Sequence, residues 1–229
     1  MKTIQEIKTD IDTLVRKQGN QGALKLGDVL DVIVDNLQVV NKMMANIPDV
    51  ATFQTAVPNT ATEIVFAYYG GVDLTAYTKA GNIGKDIDVY ADDTKYAVVS
   101  GKTIFAPENS AHFFSDYSAL TSLDLSNFDT SKATSFASMF YGCSGLTSLD
   151  VSNFDTSKAT TFASMFDGCA ALTTITASDW SATVTSGNMF NGCTSLVGGN
   201  GTTYDADHTD AAYAHIDTAD NPGYFTAPA

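Results

Sequence analysis

The sequence predicts an α/β solenoid: a short stack of 26-residue repeats, with a β-rich N-terminal cap and an N-terminal helical coiled-coil segment. Three observations predict it. Residues 120–145 (LTSLDLSNFDTSKATSFASMFYGCSG) recur almost unchanged as residues 146–171 (LTSLDVSNFDTSKATTFASMFDGCAA). Apolar residues near the N-terminus fall at heptad spacing, and residues 51–108 contain runs that alternate as strands do. The expected domains are a helical oligomerisation or anchoring segment at 1–50, a small β unit and cap at 51–108, and a capped solenoid at 109–229.

At the N-terminus, Ile4, Ile7, Ile11 and Leu14 form one narrow apolar seam. Leu26, Leu30, Ile33, Leu37, Val40, Met44 and Ile47 form a second, three heptads long. Gln18-Gly19-Asn20-Gln21-Gly22 breaks the first pattern, and Pro48 ends the second. Two arrangements bury such seams: a hairpin within one chain, or a parallel oligomeric coiled coil. The oligomer is the expectation, because isolated helices of this length are marginal in water. Mixed Ile, Leu and Val along the seam leave dimer and trimer both open.

In the β unit, Glu63-Ile64-Val65-Phe66-Ala67-Tyr68-Tyr69 reads as a strand ending at Gly70-Gly71. Asp86-Ile87-Asp88-Val89-Tyr90 alternates polar and apolar. Tyr96–Val99 and Thr103–Phe105, joined by Ser100-Gly101-Lys102, predict a hairpin.

The repeat follows. A third copy, two residues shorter, spans 172–195, and Phe114–Leu120 matches the tail of a degenerate copy with Tyr117 where Cys143 would stand. Leu196 opens a further rung that dissolves into Gly198-Gly199-Asn200-Gly201. Within each unit L-x-x-L-x-[LV] turns Leu120, Leu123 and Leu125, then Leu146, Leu149 and Val151, then Leu172, Ile175 and Ala177, to one side. That is the strand pattern of a leucine-rich repeat. Phe128, Phe154 and Trp180 mark the turn out of the strand, preceded by Asn127, Asn153 and Asp179, whose side chains bond turn backbone. Phe136, Met139 and Phe140 have the spacing of a short helical turn, and Gly142, Gly168 and Gly192 reverse the chain. Some four rungs at strand spacing make a stack only about 20 Å long. Its ends need caps: part of 51–108 at one, the acidic tail 197–229 at the other.

Cys143, Cys169 and Cys193 occupy one position in successive units. Their odd number and equivalent placement argue against disulfides and for a buried ladder of thiols acting as small apolar groups. No Cys/His spacing suits a metal.

The string L-T-S-L-D-[LV]-S-N-F-D-T-S-K, with M-F-x-G-C, resembles the BspA-like surface leucine-rich repeat of gut and oral bacteria and mycoplasmas. Gly199–Asp205 and Asn221–Thr226 resemble the way such arrays close. The likeness covers about 110–226. It implies a leucine-rich-repeat solenoid with adhesive, non-catalytic binding roles at surfaces. Such proteins are usually secreted, whereas Met1-Lys2-Thr3-Ile4-Gln5-Glu6 reads as no secretory signal.

Charge narrows the partners. The 229 residues carry Lys+Arg 12 against Asp+Glu 26, a formal net charge of -14. Residues 106–229 hold only Lys132 and Lys158 as strong bases against thirteen acids. Nucleic-acid binding and adhesion to anionic membranes both need basic side chains, so neither is expected. No apolar run is long enough to span a bilayer.

Little chemistry is legible. His112, His208 and His215 stand without a nucleophile at a telling spacing, so no enzyme and no cofactor are expected. Asp205, Asp207 and Asp210 alternate as calcium ligands do, but the closing Gly and Glu of a calcium loop are missing. Gly198–Gly201 lacks the Lys and the strand–helix context of a phosphate loop. The outward strand positions are the candidate binding face: Thr121, Asp124 and Ser126, then Thr147, Asp150 and Ser152, then Thr173 and Thr176. Tyr141, Asp167 and Asn191 share one turn position yet differ, as a contact edge would. Small hydroxyls with a few Asp also suit any soluble strand face.

Together these features predict a fibre or decoration protein on the surface of a phage virion. Residues 1–50 would join other virion proteins, and the solenoid would bind a host surface protein or glycan with avidity from clustering. A bacterial adhesin at the cell surface or outside it, and a cytosolic scaffold, are the alternatives.

Overall fold

Strands in the first two repeats are short because the sequence stops them with side-chain-capped turns. In the first repeat the Asp124 carboxylate accepts the Ser126 N–H at 2.8 Å, and Asp129 that of Ser131 at 2.7 Å. Asp150–Ser152 and Asp155–Ser157 repeat the pair at 2.9 and 3.0 Å in the second. Such Asx turns compete with strand extension, so only two or three residues remain in each strand of these two repeats.

The computed structural model describes residues 44–178, 180, 184 and 186–229. Its elements are β1 (Met44–Asn46), α1 (Val50–Ala56), β2 (Glu63–Tyr68), β3 (Thr78–Ile83), β4 (Ile87–Asp92), β5 (Lys95–Ser100) and β6 (Thr103–Phe105). Then come β7 (Ser122–Asp124), β8 (Phe128–Asp129), β9 (Ser148–Asp150), β10 (Thr174–Thr176), a 3-10 turn (Ala211–Tyr213) and β11 (Phe225–Thr226). Residues Ala45–Ala229 pack as one unit.

Three sheets result, ordered β3-β4-β5-β2-β7, β1-β6-β8 and β11-β10-β9. In the largest, β3, β4 and β5 pair antiparallel, while β2 lies parallel to β5 and to β7. β2 joins the repeats directly, Ile64 opposite Leu123. At the other end β11 pairs parallel with β10, Ile175 opposite Phe225. No described helix is long and apolar enough to cross a membrane.

This β-rich arrangement overturns the expected α/β solenoid in two ways. The repeats supply no helix: α1, before them, is the one α-helix among the described residues. Where Phe136, Met139 and Phe140 suggested a helical turn, the backbone makes successive three-residue turns, Met139 N–H to Phe136 O at 3.2 Å and Tyr141 N–H to Ser138 O at 3.1 Å. Ser138 is left-handed at φ 53°, which a helix does not permit. Nor do the repeat strands form one continuous sheet, since β7 belongs to the five-stranded sheet and β9 to another.

The N-terminal coiled coil falls largely outside the described residues, which exclude Ile4, Ile7, Ile11, Leu14, Leu26, Leu30, Ile33, Leu37 and Val40. At its expected end the chain is a strand, β1, from Met44. Ile47 is buried and donates its N–H to Phe105 O at 3.1 Å. The expected hairpin is also absent: β5 pairs with β4 and β2, whereas β6 pairs with β8, Ile104 opposite Phe128. The Ser100 hydroxyl accepts the Lys102 N–H at 3.1 Å and donates to Asp86 O at 2.8 Å, bending the chain from one sheet into the other.

Repeat turns nonetheless bond to their successors. N–H groups of His112, Phe114 and Asp116 donate to Ala137, Met139 and Tyr141 at 2.9, 2.8 and 2.7 Å. Ser138, Phe140 and Gly142 bond onward to Ala163, Met165 and Asp167 at 2.8, 2.9 and 2.8 Å. Beneath these bonds Phe114, Phe140, Phe166 and Phe190 stack at 5.4, 5.6 and 5.7 Å with nearly parallel rings. Tyr224 and Phe225 close that column edge-on to Phe190. At the other end Phe53 of α1 stacks on Phe113 at 4.3 Å. Gly142, Gly168 and Gly192 are left-handed, and a Cβ on Gly192 would lie 3.4 Å from the Gly168 backbone. Both conformation and close approach therefore ask for glycine.

The three cysteines are free and buried. Each thiol donates to the carbonyl of a phenylalanine one turn earlier: Cys143 to Phe114, Cys169 to Phe140 and Cys193 to Phe166, at 3.0, 3.1 and 3.0 Å. Burial pushes the Cys169 thiol up to about 12 and raises the other two as well. These are structural thiols, kept protonated and shielded.

Candidate functional site

Because β7 and β9 belong to different sheets, the repeat face opens between them. Among the described residues no backbone hydrogen bond joins these two strands. A cleft of about 430 Å³ lies there, lined by Leu123, Asp124, Leu125, Ser126, Asp150, Ser152 and Asn153. Its size suits a small ligand or part of a larger one.

Each wall is positioned by the repeat. The Asx turns that stop the strands fix Asp124 and Asp150, each with one carboxylate oxygen committed to a Ser N–H. Both aspartates are exposed, leaving acceptor capacity facing solvent. Asn153 bridges the turn, its amide donating to Leu125 O at 2.9 Å and Phe128 O at 3.1 Å. Leu123 is half-buried while its repeat-equivalent Leu149 is buried. The cleft thus offers carboxylate and hydroxyl groups beside apolar surface.

Of the sequence-predicted face, the cleft brings together Asp124, Ser126, Asp150 and Ser152. The threonines lie elsewhere. The Thr121 hydroxyl donates to Thr62 O at 3.0 Å, and that of Thr173 to Thr147 O at 2.8 Å. Thr176 sits in β10 opposite Asp150 and Thr226. Tyr141, Asp167 and Asn191 do align on one turn edge: the Asn191 amide donates to the Asp167 carboxylate at 2.8 Å, and Tyr141 is exposed. The candidate calcium residues do not converge. Asp205 accepts the Asp207 N–H at 2.9 Å and pairs with His208 at 3.1 Å, while Asp210 caps the 3-10 turn through Ala212 at 2.9 Å. Among the described residues no group of three His, Cys, Asp or Glu can hold a metal ion.

Leu123, Leu125 and Asn153 enter the cleft without having been singled out as binding residues. The leucines carry the inward strand pattern, so nothing local marks them as cleft residues. The D-x-S pairs were the available signal, since they fix where each strand ends.

Residues 108–221 match the model of a family described as Mycoplasma protein of unknown function, DUF285, which is related to BspA-like repeat proteins. No curated protein and no solved structure matches the chain.

Proposed function

We propose that residues 45–229 form a non-catalytic binding module whose ligand is a hydroxyl-rich glycan seated between β7 and β9. The cleft itself carries this reading: two fixed carboxylates and two serine hydroxyls border the half-buried Leu123. Carboxylates accept hydrogen bonds from sugar hydroxyls, and apolar surface packs on the C–H faces of a ring. Similarity of the repeats to BspA-like surface proteins supports the same class of role.

The test is a glycan array probed with the full chain, followed by Asp124→Asn with Asp150→Asn. The double variant should weaken binding of the best glycan about tenfold or more, since hydrogen bonds to charged groups contribute about 1.5–3 kcal/mol each. Both side chains are exposed, so its Tm should stay with the parent. Absence of any glycan binding, or unchanged affinity in the variant, removes this assignment.

The wider role we assign is display: an oligomer of the chain on a phage virion surface, with the module turned toward the host. Light scattering of the full chain should report a dimer or trimer. A monomer would exclude the fibre and leave the glycan cleft standing.

A further inference from the structure

The geometry points to a second binding site, for an N–H-bearing cation such as the guanidinium of an arginine side chain, at the first turn of the repeat array. It shares no residue with the β7–β9 cleft. Hydrogen bonds between successive turns all run one way at three positions. N–H groups of one turn donate to carbonyls of the next: His112, Phe114 and Asp116 to Ala137, Met139 and Tyr141, and likewise onward. Carbonyls at these positions therefore face back toward the preceding turn. In the first turn the equivalent carbonyls, 26 residues earlier, are those of Ala111, Phe113 and Ser115. They have no preceding turn to bond.

The chain partly fills that vacancy from α1. The Gln54 side-chain amide donates to His112 O at 2.9 Å and to Phe113 O at 3.5 Å. Among the described residues nothing donates to Ala111 O or Ser115 O. A cleft of about 460 Å³ lies here, lined by Gln54, Pro58, Asn59, His112, Ser115 and Asp116. Its lining includes no lysine or arginine.

Asp116 adds the second argument. It stands where the three later turns have Gly142, Gly168 and Gly192, and it takes the same left-handed backbone, φ 64° against 70°, 79° and 73°. A non-glycine residue in that region bears a conformational cost, which points to a use for its side chain. One carboxylate oxygen accepts the Ser115 hydroxyl at 3.2 Å, which leaves lone pairs available to a ligand. Ser115, whose carbonyl has no donor among the described residues, and Asp116 with its carboxylate both line the cleft, where His112 is the one basic side chain, and together they fit a cation that carries several N–H groups. Guanidinium, with five donors in a plane, is the best match. The natural source is an arginine on a basic partner, in keeping with thirteen acids against two strong bases in residues 106–229.

The test titrates the full chain, ¹⁵N-labelled, with N-acetyl-arginine amide, with its neutral isostere N-acetyl-citrulline amide, and separately with calcium chloride. Arginine amide should shift the backbone amides of 111–116 and the Gln54 side-chain amide saturably. Citrulline amide should bind about fivefold more weakly, the size of one exposed charge pair. Asp116→Asn, which keeps a residue tolerant of left-handed backbone, should lower arginine affinity by a similar factor. Asp116→Gly, the residue of the later turns, should fold at least as well and behave alike. Shifts absent at 50 mM arginine amide, equal affinity for citrulline, undiminished binding by both variants, or saturation of these amides by calcium alone would each overturn the assignment.

Discussion

Phe140→Ala is expected to lower unfolding free energy by about 3–5 kcal/mol, the range for removing a buried phenylalanine and leaving its cavity. Its ring is buried and lies between Phe114 at 5.4 Å and Phe166 at 5.6 Å, at interplanar angles of 7° and 2°. Its backbone is committed in the same direction, donating to Met165 O at 2.9 Å. A collapse that filled the void would have to shorten spacings that these turn-to-turn bonds already set, so relaxation should be poor. Urea denaturation should show the loss as a lower midpoint at unchanged slope, and Tm should fall on the order of 10 °C for a unit of this size. Tyr141→Ala, next along the chain but exposed, should change stability by less than about 0.5 kcal/mol. A Phe140→Ala loss below about 1 kcal/mol would mean that the aromatic column does not bear the fold.

The same residues show how far the sequence could be read. The period and the glycines were legible because repetition makes them conspicuous, and left-handed turns at Gly142, Gly168 and Gly192 match their expected chain reversals. The helix read at Phe136, Met139 and Phe140 failed for a geometric reason. A run of turns closed from residue i to i+3 puts side chains on one side at a three-residue step, almost the step of a helix. The left-handed residue at Ser138 separates the two, and serine does not announce it. Sheet membership was harder still. Nothing near Thr103–Phe105 says that it pairs with Phe128–Asp129 rather than with Lys95–Ser100. Nothing in LTSLDL says that its first copy pairs with β2 and leaves the next copy open. The candidate cleft inherits that limit: its aspartates and serines were visible as a face, whereas the gap beside them depends on long-range pairing.

Asp217 should make the C-terminal cap acid-sensitive, and its removal should cost about as much as the aromatic column does. The residue is buried. One carboxylate oxygen accepts the N–H groups of Asn200 at 2.8 Å and Thr202 at 3.0 Å. The other accepts the Thr202 hydroxyl at 2.7 Å and the Gly223 N–H at 3.2 Å. The surrounding glycines are there to let it in, since a Cβ on Gly198 would fall 2.6 Å from the carboxylate and 2.3 Å from Gly223 O. Asp217→Ala leaves four donors without their acceptor beside the strand that pairs with β10. A loss of about 3–5 kcal/mol follows from breaking such a buried charged network. Burial raises the Asp217 pKa, but the donors at Thr202, Gly223 and Asn200 together hold it below the ordinary carboxylate value. The unfolded chain therefore binds this proton more readily than the folded one. The carboxylate's contribution is complete above the unfolded pKa of about 3.9, and it is lost as pH falls through the lower folded value. Asp217→Asn removes the charge at every pH, so its stability gap to the parent should be widest at pH 6 to 7 and narrow below pH 4. Chemical denaturation of both proteins from pH 7 to pH 3 measures this directly. A gap that stays constant over that range would show that the four bonds owe nothing to ionisation.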